Sequence, residues 1–240
     1  MISEGLKGAI ETLIETGEEK YIKEELHGAT YTNKDLRRIN APVAAPLKTT
    51  TLTSIVDYIM ENVDTVQVAN IIVHVESYDQ VSLKKELNAD KNRECVMIAE
   101  ALTPNVVTDR FMDTDRFNIM LQASFVENED RAALLKASAN IQEKDVKNVC
   151  DDGVSQSAVF KTGVATVEEM LIPNPVILAP YRTFPEVEQP QSKFIFRMQS
   201  GSQCALYEAD GGAWKIVAME SIKNWLEQRL EGMDNVKIIA

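Results

Sequence analysis

The residues with the type and spacing for chemistry are few, and acids lead them. Asp151 and Asp152 are adjacent. Two close carboxylates split their pKa values, and their oxygens suit a hard divalent cation. Neighbours on a strand point to opposite faces, so such a pair cooperates only within a turn; Asp-Asp-Gly at 151–153 is also ordinary turn chemistry. In RTFPEVEQP, residues 182–190, the guanidinium of Arg182 can hold a carboxylate or phosphate through paired donors, or it takes Glu186 or Glu188 as an internal partner. Asp210-Gly211-Gly212 has the glycine density to bring backbone N–H groups near a ligand, without the GxGxxG or GxxxxGKS/T spacing of phosphate loops. His74 has no evident partner and reads as a packed or surface histidine. Cys95, Cys150 and Cys204 are scattered, with no CxxC and only His27 and His74 beside them, so a zinc site or disulfide framework is not expected. GxSxG and HExxH are absent. No catalytic residue, metal or cofactor is assigned; the ligand-binding candidates are Asp151, Asp152, Arg182, Glu186 and Asp210.

These side chains must be mounted on something. Residues 171–214 hold Pro173, Pro175, Pro180, Pro185 and Pro190 of the chain's 8 prolines. Proline fixes its own φ and extends the residue before it, so this is a stiff path that suits a scaffold first and a binding surface second. Upstream, Leu52, Ile55, Val56, Ile59, Met60 and Val63 keep helical spacing behind Thr51 as N-cap. Runs at 66–76, 80–87 and 93–101 alternate like strands, and their short connections predict an antiparallel meander. Residues 113–125 fit a helix or a strand, and the capping residues Asp113 and Asp115 favour the helix; a second helix follows over 128–139. Beyond 141 the chain turns β-rich, with strands at 145–150, 154–161, 165–178, 194–199 and 203–208. Residues 214–218 fit a strand or the start of a C-terminal helix equally, so that helix begins near Ala213 or Ser221, and 236–240 fits an edge strand.

At the other end, Ile2, Leu6, Ala9, Ile10 and Leu13 form one face of a short helix, followed by two strands around His27-Gly28. A short apolar-faced helix is not stable alone in water. Residues 1–46 are therefore expected to be an arm that docks on the main body or on a second copy of the chain. Residues 47–240 form the main domain. The fold class is α+β, with mainly antiparallel sheet and helices packed on it.

With 240 residues and 45% apolar content the chain can build its own core. It has no apolar run long enough for a bilayer and no signal-peptide pattern, so a cytoplasmic protein without membrane contact is expected. Its 37 acidic residues against 25 basic ones, a formal charge of −12, disfavour nonspecific nucleic-acid binding. The densest basic group, Lys34 with Arg37 and Arg38, reads as ordinary surface.

IPNPV at 172–176, LAPYRTFPEVEQP at 178–190, SKFIFR at 192–197 and LYEADGGAWK at 206–215 occur in order, with DDGVSQ at 151–156 and FMDT at 111–114. Over roughly residues 50–230 these resemble the YfdQ-like family of phage and prophage proteins. The resemblance implies a phage or prophage gene acting in the bacterial cytosol, near early, recombination and host-takeover genes, and carries no settled activity. Two functions of different class follow: a nonenzymatic homo-oligomer that binds a host or phage protein in DNA metabolism or defence evasion, or a phage enzyme or small-molecule binder with Asp151, Asp152, Arg182 and Glu186 around a pocket for a metal or nucleotide. A virion structural role is a third.

Overall fold

Apolar periods of about 3.6 and 2 alternate along the chain, and in the computed structural model they become helices laid on sheets. The structure describes residues 4–17, 23–26, 29–32, 43–88, 91–143, 148–151, 156–162, 166–171, 174–199 and 202–240. The chain divides into two units, Met1–Val43 and Ala44–Ala240. The first contains α1 (Glu4–Gly17) and an antiparallel hairpin of β1 (Lys23–Leu26) and β2 (Ala29–Thr32). Leu6, Ile10 and Leu13 of α1 are exposed. His27 and the Arg37-Arg38 group lie outside the described residues.

The second unit opens with β3 (Leu47–Thr49) and α2 (Leu52–Met60), then a 3-10 turn at Val63–Val68. Its meander is β4 (Ile71–Val75), β5 (Gln80–Leu87) and β6 (Arg93–Glu100). There follow β7 (Met112–Asp113), α3 (Thr114–Ser124), α4 (Glu129–Glu143), β8 (Asn148–Asp151), β9 (Gln156–Thr162) and β10 (Thr166–Leu171). The chain closes with β11 (Val176–Leu178), β12 (Ser192–Gln199), β13 (Gln203–Glu208), α5 (Trp214–Arg229) and β14 (Val236–Ile239). The class is α+β with mainly antiparallel pairing; β14 on β4 and β3 on β6 are the parallel edges of a sheet ordered β14-β4-β5-β6-β3. A second sheet runs β11-β12-β13-β7, and β10-β9-β8 is a third.

Two cores result. On the first sheet, Leu52, Ile55 and Ile59 of α2 and Ile222, Leu226 and Leu230 at the C-terminal helix meet Ile71, Val73, Val81 and Leu83. Thr51 starts α2 as expected, its hydroxyl accepting the N–H of Ser54 at 3.4 Å. On the second, Phe117 and Leu121 of α3 and Leu134 of α4 cover Val176, Leu178, Phe194, Phe196 and Leu206. Residues 113–125 thus resolve as helix, because Phe117, Met120, Leu121 and Ser124 bury one face. Residues 214–218 resolve likewise: Trp214, Ala218, Ile222 and Leu226 line up four apart.

Three expectations need correcting. The strand expected from 66 begins at Ile71, since 63–68 is a 3-10 turn entered through left-handed Asn62 and Asp64. That turn carries the α2 stripe out of the core, so Met60 and Val63 are exposed. The run at 165–178 is two strands in different sheets, because Asn174 and Pro175 interrupt it.

Candidate functional site

The proline-rich crossing between β11 and β12 stitches the two cores together. Val176 and Leu178 enter it from the second core, Phe184 and Val187 at its middle are buried in the first, and Phe194 returns to the second. Prolines remove backbone donors, so the remaining polar groups of the crossing need side-chain partners. Gln189 supplies most of them: its carbonyl accepts the N–H of Arg182 at 2.9 Å and of Thr183 at 3.2 Å, and its amide donates to the carbonyl of Phe184 at 3.0 Å. The Thr183 hydroxyl donates to the carbonyl of Tyr78, tying the crossing to the β4–β5 turn.

Arg182 is the hub. One terminal nitrogen pairs with Glu208 Oε1 at 2.7 Å; the other donates to the carbonyl of Pro190 at 3.1 Å and to the Ser192 hydroxyl. Its guanidinium lies over the Trp214 ring, 3.7 Å from the centroid, and Tyr78 meets Trp214 edge-on at 4.7 Å. The internal partner is therefore Glu208 on β13 rather than Glu186 or Glu188. Glu186 instead accepts from the N–H of Thr53 at 3.1 Å and from its hydroxyl at 3.2 Å, at the positive end of the α2 dipole. Burial pulls Arg182 below its ordinary pKa, and the Glu208 bond and charge oppose that shift.

Asp210 belongs to the same cluster through Ser192, whose hydroxyl donates to it. It also accepts the N–H of Gly212 at 3.0 Å, which closes the turn into α5. Gly211 and Gly212 have φ of 63° and 81°, a region costly for other residues, which explains the paired glycines. The glycine-rich loop thus points a backbone donor at its own carboxylate. Burial raises the Asp210 pKa, but the Ser192 hydroxyl, the Gly212 N–H and the Arg182 charge outweigh it and hold the carboxyl below its ordinary value.

The other candidates do not join them. Asp151 ends β8 opposite Gln156 of β9, in a sheet separate from β12 and β13, and Asp152 and Gly153 lie outside the described residues. What sequence reading missed is Glu208 and Ser192, plus a polar group on the first sheet. His74 and Ser82 are cross-strand partners, and register in the meander is the signal that could have paired them. His74 Nδ1 lies 3.2 Å from Lys84 Nζ, Lys84 pairs with Glu76 at 2.7 Å, and Ser82 donates to the same Glu76 carboxylate. The serine proton is directed at Glu76 rather than at His74, so this is not a nucleophile with its base.

Beside the Arg182 hub, Ser192, Asp210, Trp214, Val217 and Ile177 line a cavity of about 440 Å³. Nε of Arg182 and Nε1 of Trp214 are buried with no acceptor among the described residues. No group of three or more His, Cys, Asp or Glu among the described residues is placed to hold a metal, and no described helix is long and apolar enough to cross a membrane. No family model, curated protein or solved structure matches the chain.

Proposed function

We propose that this is a binding protein rather than a catalyst: a phage- or prophage-encoded accessory protein of the bacterial cytosol that self-associates and engages a host or phage protein. One observation carries the nonenzymatic part. Arg182, Glu186 and Asp210, the side chains best suited to chemistry, are engaged in joining the crossing to α2, β12, β13 and α5. A general base must reach a substrate proton, and a clamp must leave its donors open. The exposed apolar stripe of Leu6, Ile10 and Leu13 on α1 supports self-association, since such a helix needs a cover. The phage setting rests on the ordered motifs at 151–156 and 172–215.

The test is affinity purification of the tagged full chain from phage-infected cells, with light scattering of the purified protein. A stoichiometric protein partner and a mass above the monomer are expected. A monomer that recovers no partner refutes the reading. A second reading, a small-ligand binder, has its own observation in Trp214, which lines the 440 Å³ cavity and whose buried indole N–H has no acceptor among the described residues. It requires that a metabolite raise the melting temperature of the native chain and not that of Val217→Trp, which fills the cavity.

A further inference from the structure

A larger groove lies away from the Arg182 hub, with a volume of about 590 Å³. One wall is α3, where Arg116, Ile119 and Ala123 share a face at helical spacing and the buried Met120 borders it. The other is the extended run before α3, which contributes Val107, Arg110 and Met112. Each wall thus brings one arginine to a trough whose lining mixes polar side chains with apolar ones.

Three features mark this groove as a recognition surface. Both arginines are exposed, and neither makes an ion pair or hydrogen bond among the described residues. That is notable in a chain with 37 acidic residues to 25 basic ones, where carboxylate partners are plentiful. Ile119, in the same lining, is 65% exposed, although α3 buries its opposite face in the second core. The wall that presents Arg110 is held in place: Asp109 takes a left-handed φ of 59° and donates its N–H to the carbonyl of Leu206 at 2.7 Å. A preset wall lowers the ordering cost of binding.

We infer that this groove binds an acidic peptide segment of a partner protein, one that carries bulky apolar side chains among its aspartates or glutamates. The inference rests on the binding-protein reading and names the partner's chemistry. Arginine forks match carboxylates in paired hydrogen bonds, and methionine and isoleucine walls accept varied apolar side chains. Asp113 is the one carboxylate in the lining, so the two arginines leave the groove a net cationic spot. A nucleic acid offers phosphates for the same arginines but would carry its whole backbone charge along a protein of net charge −12. A peptide presents its acids locally, which favours it.

The test is fluorescence polarisation of the full chain with three labelled probes: a short peptide alternating aspartate with leucine and phenylalanine, the same peptide with lysine for aspartate, and oligothymidylate. The aspartate peptide is expected to bind, to weaken as salt is added, and to lose at least about tenfold in affinity with Arg110→Glu/Arg116→Glu and with Ile119→Lys. All three positions are exposed, so native melting temperatures are expected and serve as the folding control. Preferred binding of the lysine peptide or oligothymidylate overturns the inference. So does aspartate-peptide binding that ignores the substitutions, or no binding up to about 1 mM. Should the charge-reversed chain still recover the stoichiometric partner from infected cells, the groove assignment falls while the binding-protein reading stands.

Discussion

Replacing Arg182 by alanine removes the ion pair to Glu208, the bonds to Pro190 and Ser192, and the plate stacked on Trp214. A hydrogen bond to a charged group is worth about 1.5–3 kcal/mol, and a desolvated cation over tryptophan about 1–2 kcal/mol. The Glu208 side chain is 33% exposed and can rehydrate, which takes the ionic part to the low end of its range. The expected loss is about 2–4 kcal/mol. For a body of this size that is a fall in melting temperature of about 5–15 °C. Arg182→Lys keeps the charge but neither the fork nor the flat stacking face, so it should recover less than half of the loss. Calorimetry or urea unfolding measures both variants. In a cycle with Glu208→Gln, the double variant should lose about 1–2 kcal/mol less than the sum of the two single losses. If Arg182→Ala melts within about 1 °C of the parent, the crossing is not held through this hub and the structural account of Arg182 is wrong.

Gly212→Ala should cost about 1–2 kcal/mol through its φ of 81° alone, because a Cβ there meets only Lys215 side-chain atoms at ordinary contact distance; an unchanged urea midpoint would contradict this. Phe184→Ala should cost about 3–5 kcal/mol, since its ring is fully buried where the crossing enters the first core, and the readout is again unfolding free energy. Asp210 and Glu76 both sit below their ordinary carboxylate pKa, Glu76 chiefly through its bonds to Lys84 and Ser82. Each therefore contributes stability that is full above the unfolded-state pKa of about 4 and is lost as pH falls through the depressed folded value. Asp210→Asn should flatten the fall in urea-unfolding stability below about pH 4, and parallel curves for parent and variant would refute the linkage. Burial pushes the Cys204 thiol up to about 12, so iodoacetamide at mild alkaline pH should label it only after unfolding, as read by peptide mass spectrometry.

The α2 helix and the meander were legible in the chain because each rests on local periodicity, whereas burial of one face decided α3 and the start of α5. Thr51 before an apolar stripe and alternation through β4 to β6 need no knowledge of distant contacts. The proline-rich crossing was legible as a stiff scaffold for the same reason: proline acts on its own backbone. Which partner Arg182 takes was not legible. Glu186 and Glu188 are near in sequence, but Glu208 reaches Arg182 because β12 and β13 pair antiparallel and set their far ends beside the crossing. Likewise, the arginines at 110 and 116 look like any solvated charges until α3 and the run before it fold into facing walls around a trough. Local propensity decides elements from neighbours along the chain. A partnered ion is decided by residues tens of positions apart, whose meeting depends on strand register, and an open groove by which face each helix buries.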